Sequence, residues 1–148
     1  MSNNNIAGGI PPSMSKLKKL KGVALIDNKL TGPLPSDIGS MDSLTYLCLS
    51  DNSLTGNIPE SIGNLKNLKM LTISDNQLSG EIPPTMGDLR NLEKLDLSRN
   101  RLEGSIPETM CPLAKVAVIN LSGNNLSGIL PQCFHSISSF KGLIIQGD

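Results

Sequence analysis

Asparagine recurs at one fixed interval along the whole chain, and this spacing constrains the fold more than any other feature. The interval holds without a slip at six asparagines, and an aspartate takes the seventh position: Asn4, Asn28, Asn52, Asn76, Asn100, Asn124 and Asp148. An aliphatic residue follows each asparagine by two places and a glycine by four, as Leu54 and Gly56 follow Asn52. A period of this size is typical of a stacked array in which neighbouring units share one core. The sequence therefore predicts a single array over residues 1–148, with about six 24-residue repeats and without terminal caps.

Each repeat reads as a short strand, a turn and a short helical segment. In residues 44–50, LTYLCLS, apolar residues alternate with variable ones, which is the period of a strand. The glycine after the turn permits a backbone conformation that other residues rarely adopt, and the proline that follows ends regular pairing. Ile62 and Leu65 then have the i, i+3 spacing of a helical turn. One repeat cannot bury these aliphatic residues alone, so successive repeats must stack.

The recurrent asparagine is predicted to be structural. A chain that turns out of each strand leaves backbone groups inside the core, and an amide side chain can both donate to them and accept from them. We expect a ladder of stacked amides that consists of Asn28, Asn52, Asn76, Asn100 and Asn124.

The composition excludes several classes of function. Lys+Arg and Asp+Glu both number 13, so the net charge gives no electrostatic case for nucleic acid or an anionic membrane. No apolar run reaches the roughly 18 residues of a membrane span, and the N-terminal residues do not have the pattern of a signal peptide.

Catalytic and metal sites are not predicted. His135 lies near Cys133, but no third group that would orient the pair is evident, so we expect no enzyme activity and no cofactor. Asp27, Asp51 and Asp75 recur at strand spacing and could in principle hold a hard cation. The local preference of aspartate for turns explains their position better, and no metal site is predicted.

Two complete units show which family the chain resembles. Residues 44–67 read LTYLCLSDNSLTGNIPESIGNLKN and residues 68–91 read LKMLTISDNQLSGEIPPTMGDLRN, so both fit LxxLxLxxNxLxGxIPxxxGxLxx. The sequence resembles the plant-type leucine-rich repeats of receptor-like kinases, receptor-like proteins and polygalacturonase-inhibiting proteins. The resemblance implies an α/β solenoid, a right-handed leucine-rich-repeat superhelix with a parallel concave β-sheet, a second smaller sheet, and short helical or 3-10 turns on the convex side.

In such a strand the residues between the aliphatic positions face outward, and these are the candidate ligand-binding residues. The candidates on the concave face are Tyr46, Met70, Thr72, Asp75, Lys94, Asp96, Arg99 and Arg101. Tyr46, Met70 and Lys94 form a row of larger side chains. The four charged residues from Lys94 to Arg101 are predicted to cluster on one repeat. The alternative for each residue is a solvated outer face. The outward serines at 50, 74 and 98 are attributed to the repeat consensus.

Cysteines and glycosylation sequons concentrate near the C-terminus. Cys48 is predicted to be a free thiol on the outer face. Cys111 and Cys133 lie on successive units, two positions short of a full repeat apart and within disulfide reach, and the resemblance to receptor-like proteins implies a similar pair. The alternative is two small buried thiols. Asn120 and Asn125 begin Asn-Leu-Ser sequons, which favours an extracytosolic origin if they carry glycans.

Three non-catalytic functions fit these features. The first is recognition of a protein, peptide or small-molecule ligand, with a co-receptor, by all or part of a plant receptor ectodomain in immune or developmental signalling. The parent protein would then be extracellular or at the plasma membrane, and uncapped repeats could associate end to end. The second is inhibition of microbial cell-wall-degrading enzymes, with charged concave residues facing the enzyme. The third is ice binding by a row of Thr31, Thr55 and Ser79, which Glu103 interrupts.

Overall fold

The computed structural model describes residues 4–136 and 142–144, and its strands form two parallel six-stranded sheets. Each coil of the chain contributes one strand to each sheet. Asp148 and the side chain of His135 lie outside what is described. The concave sheet consists of β2 (Gly22–Ala24), β4 (Tyr46–Cys48), β6 (Met70–Thr72), β8 (Lys94–Asp96), β10 (Val118–Asn120) and β12 (Gly142–Ile144), paired in that order. The second sheet consists of β1 (Ala7–Gly9), β3 (Lys29–Gly32), β5 (Ser53–Asn57), β7 (Gln77–Glu81), β9 (Arg101–Gly104) and β11 (Asn125–Leu126). The predicted α/β solenoid is confirmed.

Short 3-10 helices complete each coil on the convex side. They span Pro12–Lys16, Ile38–Ser40, Glu60–Asn64, Pro84–Asp88 and Glu108–Met110, and one α-helix, α1, spans Cys133–Ser136. A proline directly precedes most of these helices. Its ring favours an extended conformation at that residue, so the helix begins at the next one. At Pro59, for example, φ is −71° and ψ is 144°. No helix in the described part of the chain is long and apolar enough to cross a membrane.

The core is a continuous aliphatic column between the two sheets and the convex helices. Leu44, Leu47, Leu49 and Leu54 of one coil are fully buried, as are the residues at the same positions of the next coil, Leu68, Leu71, Ile73 and Leu78. Burial weakens at the N-terminal coil, where Leu17 is 52% exposed. Leu65, which occupies the same position two repeats later, has no exposed surface. Each coil is therefore covered by its neighbours rather than by itself.

The asparagines line up in the interior and join each coil to the one before it. The Oδ1 atom of Asn76 accepts the Leu54 N–H at 2.9 Å, and its Nδ2 atom donates to the Leu49 and Ser74 carbonyls at 3.0 Å. The same acceptor bond to the preceding coil recurs at the other ladder positions: Asn28, Asn52, Asn100 and Asn124. Each side chain thus satisfies backbone groups of two coils.

The residue just before each asparagine adopts a left-handed conformation. Asp27, Asp51, Asp75 and Arg99 have φ between 51° and 57°, and Gly123 has φ of 64°. Aspartate tolerates this region better than most residues because its short side chain can bond locally. The left-handed turn is therefore enough to explain why aspartate recurs at this position.

The two sheets differ in register. On the concave sheet, Tyr46 pairs with Met70, which lies one full repeat later. In the second sheet, Thr31 pairs with Ser53 and Thr55 pairs with Gln77, so each partner lies two positions short of a full repeat. The row of threonine and serine predicted from the sequence is therefore not brought together, because each member lies beside a residue from a different position of the repeat.

Glycine allows a close approach of backbones between successive convex helices. A Cβ atom on Gly63 would lie 2.4 Å from the Thr85 carbonyl oxygen, and one on Gly87 would lie 1.8 Å from that of Thr109. The first coil has Ser15 at this position instead, and its hydroxyl donates to Asp37 Oδ2 at 2.6 Å. The first interface between coils therefore uses a side-chain contact where the inner ones use backbone contact.

Candidate functional site

The N-terminal half of the concave face carries an apolar platform. Tyr46 on β4 and Met70 on β6 are 45% and 37% exposed, which is unusual for large apolar side chains in this molecule. The Tyr46 ring lies over Gly22 on the neighbouring strand β2. A Cβ atom on Gly22 would lie only 1.8 Å from the ring carbon Cζ. Gly22 thus makes room for the ring. The sequence analysis did not predict this role of Gly22. The glycine stands at the same outward position as Tyr46 in the preceding repeat, and that placement could have indicated it.

Several predicted surface residues beside this platform are covered. Thr72 is only 8% exposed, so the expectation that it lies open to a ligand is wrong, while its ligand-binding role stays a prediction. Cys48 is a free thiol but is also buried, and its Sγ atom lies 3.8 Å from Met70 Sδ. Neighbouring side chains cover these short residues on a tightly spaced sheet.

The outward serines are buried as well and bond to one another. The Ser74 hydroxyl donates to Ser50 Oγ at 3.0 Å, and the Ser74 backbone N–H donates to the same oxygen at 3.1 Å. Ser98 is equally covered and donates from Oγ to Asp96 Oδ1 at 2.6 Å. The serine column, which the sequence analysis attributed to the repeat consensus on the outward face, therefore supports the sheet from a covered position.

The predicted charged cluster on one repeat is not assembled. Lys94 on β8 is exposed and forms no ion pair within the described residues, whereas Asp96 is held by Ser98. Arg99 reaches back to the preceding coil, where its Nη2 atom donates to Asp75 Oδ2 at 2.8 Å. Arg101 begins β9 in the second sheet, so its placement on the concave face was wrong.

A row of carboxylates borders the concave face at the turns. Burial raises the pKa of Asp51, and the negative charges of Asp75 and Asp27 raise it further, while Arg99 acts in the opposite direction. Within the described part of the chain, no group of three or more carboxylate, histidine or cysteine side chains could hold a metal ion.

The C-terminal coils carry the disulfide and the sequons. Cys111 and Cys133 are joined, with their Cα atoms 5.6 Å apart. Asn120 lies on β10 at the concave face, and its Oδ1 atom accepts from the Ser122 hydroxyl at 2.8 Å. Asn125 is exposed at the start of β11. Glycosylation of either asparagine stays a prediction.

A family model matches the sequence, and it agrees with the repeated coil of concave strand, ladder amide and convex 3-10 helix. The leucine rich repeat model matches residues 18–78, 42–102 and 90–148. The chain belongs to the leucine-rich repeat family. No curated protein matches it at a significant level.

Solved leucine-rich repeat structures resemble the chain closely. The ectodomain of the receptor kinase GASSHO1/SCHENGEN3 from Arabidopsis thaliana, in complex with CASPARIAN STRIP INTEGRITY FACTOR 2, matches 98% of this chain at 35% identity and a TM-score of 0.95. The ectodomain of the Arabidopsis receptor kinase HAESA, in complex with an N-terminal extended IDA peptide hormone ligand, matches 98% at 34% identity and a TM-score of 0.86. A plant ice-binding protein matches 100% at 34% identity and a TM-score of 0.87.

The leucine-rich repeat array described here is shorter than these proteins. The chain spans 17% of the GASSHO1 chain, 24% of the HAESA chain and 50% of the ice-binding protein. Its resemblance to plant receptor kinase ectodomains therefore concerns a set of consecutive coils.

Proposed function

We propose that this leucine-rich repeat array recognises an extended peptide through its concave face, as part of an extracellular plant receptor ectodomain. The observation that carries the proposal is the exposed apolar platform of Tyr46 and Met70 beside the charge of Lys94, which forms no ion pair with any residue that the structure describes. The binding of a peptide hormone by the similar HAESA ectodomain supports the choice of ligand class. A role in either immune or developmental signalling, with a co-receptor, is compatible with this function.

The geometry favours a ligand with an apolar side chain and a carboxylate. Tyr46, Met70 and Lys94 occupy the same position on three successive strands that pair in register. Adjacent strands lie about 4.8 Å apart, so the Cα atoms of Tyr46 and Lys94 lie about 10 Å from one another. An extended peptide that crosses the strands could place an apolar side chain on the platform and an acidic group or its C-terminal carboxylate on Lys94.

Peptides selected from a displayed random library against the 148-residue chain provide the test. The selected peptides should contain an apolar residue followed by an acidic group, and Tyr46→Ala or Lys94→Ala should weaken their binding about tenfold or more. Lys29→Ala, which removes the same charge from the second sheet, is the matched control and should leave affinity unchanged. Selected peptides that bind both concave variants as tightly as the unaltered chain would refute the proposal.

Ice binding is a second candidate because of the similarity to the plant ice-binding protein. The offset register of the second sheet weighs against it, since Thr55 lies beside Gln77 and Ser79 beside Arg101. A flat and regular row of small hydroxyl groups is therefore absent from the described strands of that sheet. Thermal hysteresis of the purified chain is the measurement, and a clear freezing-point gap would favour ice binding over peptide recognition.

A further inference from the structure

The neutral net charge of the chain conceals an uneven distribution over the folded surface. Residues 16–21, 40–45, 64–69, 88–93 and 112–117 lead from the convex helices into the concave strands and form one lateral edge of the solenoid, the basic edge. This edge contains eight of the 13 cationic residues and three of the 13 anionic ones, a net charge of +5. The eight cations are all exposed: Lys16, Lys18, Lys19, Lys21, Lys66, Lys69, Arg90 and Lys115.

Hydrogen bonds between coils hold the segments of the basic edge side by side. The Thr45 N–H donates to the Lys21 carbonyl at 2.7 Å, and the Lys69 N–H donates to the Thr45 carbonyl at 2.7 Å. The Lys115 ammonium donates to Asn91 Oδ1 at 2.6 Å. The stacking of repeats thus brings together lysines that are far apart in sequence.

Carboxylates neutralise only part of this charge. Lys66 pairs with Asp88 at 3.5 Å, and Lys69 pairs with Glu93 at 3.1 Å. Both pairs are exposed to solvent, where such contacts are weak and exchange readily. The remaining cations at the N-terminal end of the edge form no ion pair within the described residues, so their field is available to a partner.

An open groove of about 460 Å³ runs along the basic edge between these lysines. Ammonium, hydroxyl and amide groups line it: Lys21, Ser43, Thr45, Asn67, Lys69 and Asn91. Asn67 donates to the Asp42 carbonyl and Asn91 to the Lys66 carbonyl, so both amides are held in place. The lining offers repeated positive charge together with hydroxyl and amide partners, which suits a ligand rich in both carboxylates and hydroxyls.

We propose that the basic edge binds an acidic oligosaccharide whose sugar units carry carboxylates. Tyr46 and Phe134, the two aromatic residues in the described part of the chain, lie outside this edge, so the edge provides no stacking platform for the bases of single-stranded nucleic acid. Seven of the eight cations are lysines, which act as flexible point charges and lack the planar fork that arginine presents to phosphate. Leu17, which is exposed between Lys16 and Lys18, makes an anionic lipid surface the competing ligand. The groove lies further along the edge, and every residue that lines it carries an ammonium, hydroxyl or amide group, which favours the saccharide.

A de-esterified oligogalacturonate is the probe, and calorimetry on the 148-residue chain is the measurement. We expect binding at low ionic strength that weakens as salt is added, because exposed charges are screened over about 10 Å at 0.1 M. The double variant Lys21→Gln/Lys69→Gln should bind about tenfold more weakly, since two exposed ionic contacts are lost. Unchanged thermal melting of that variant would show that its fold is intact.

Matched controls decide between the proposal and nonspecific attraction. Lys29→Gln/Arg101→Gln removes the same charge from the second sheet and should bind within about twofold of the unaltered chain, because neither residue lies on the edge. The methyl-esterified oligomer, which lacks the charges, should not bind. Equal losses in both double variants, equal binding of the esterified oligomer, absence of binding at low salt, or tighter binding to poly-L-glutamate or to phosphatidylserine vesicles would each overturn the proposal.

Discussion

The first coil and the inner coils have the same pattern of residues but different surroundings. Leu17 and Leu65 occupy equivalent positions, yet the first is about half exposed and the second is fully buried. Leu20 is likewise only partly buried, whereas Leu44 and Leu68 at the same position are completely covered. The difference shows that burial in this fold is supplied by the coil on either side, because one coil encloses nothing by itself.

The interfaces between coils differ in the same way. Gly63 meets the backbone at Thr85, whereas Ser15 meets the side chain of Asp37 at the first interface. The inner interfaces therefore depend on glycine, which has no side chain, whereas the first interface depends on a hydrogen-bonded pair of side chains. Position in the array, and not the consensus alone, decides what a substitution does.

The largest expected effect separates the two leucines. Leu65→Ala should destabilise the chain by about 2–5 kcal/mol, because it leaves a cavity in a closed core. Leu17→Ala should change the free energy of unfolding much less, by about 0.5 kcal/mol, because that side chain is already about half exposed to solvent. Urea denaturation of both variants measures the difference. Similar losses would show that the first coil is covered in solution, for example by a second copy.

Removal of an inner ladder amide should come next. Asn76→Ala should destabilise by about 2–4 kcal/mol, because the Leu54 N–H and the Leu49 carbonyl lose a buried partner. Ser74→Ala is the control two residues away and should lower stability by about 1 kcal/mol, since only its bond to Ser50 is lost. Equal losses in urea denaturation would contradict the ladder as the main polar link between coils.

The convex glycine can be tested by converting an inner interface into the first. Gly63→Ser should destabilise by about 1–3 kcal/mol, because the new Cβ atom overlaps the Thr85 carbonyl. The double variant Gly63→Ser/Thr85→Asp copies the Ser15–Asp37 pair and should recover part of that loss. Additive losses in a double-mutant cycle would show that the two interfaces do not exchange partners in this way.

The smallest effect concerns the carboxylate row. Burial and the charges of Asp75 and Asp27 raise the pKa of Asp51, so its ionised form opposes folding. This unfavourable contribution is complete above the raised folded pKa and disappears as the pH falls below the ordinary value of 3.8. Asp51→Asn keeps a residue that tolerates positive φ and should raise the melting temperature slightly at pH 7 but not at pH 3. A stabilisation that is independent of pH would exclude the charge as its cause.

The sequence period was sufficient to predict a stacked array. The regular interval between asparagines indicated the stacking, the buried aliphatic positions and the interior line of amides, because each follows from stacking identical units, whereas the second strand of each coil was implied only by the resemblance to plant-type leucine-rich repeats. Helical turns were expected from the Ile62 and Leu65 spacing, and the structure shows them as 3-10 helices, most of which begin directly after a proline, as Glu60–Asn64 does after Pro59. These features depend on the repeat and not on particular neighbours.

Features that depend on neighbours were harder to predict. Alternation marked Thr72 and Ser74 as outward, but adjacent strands cover such short side chains. Arg101 was assigned to the concave sheet although it follows the turn at Asn100, and the structure places it at the start of β9 in the second sheet. The basic edge was missed because overall charge sums to zero, and only the stacking reveals that most of the cations are concentrated on one edge.

The unequal register of the two sheets has a consequence for any long partner. Concave strands stay level from coil to coil, while the second sheet slips by two residues each time, or about 6.6 Å at the usual rise per residue. Coils stacked in this way must rotate progressively about the stacking axis. A ligand that spans many coils must therefore follow a curved track rather than a straight one.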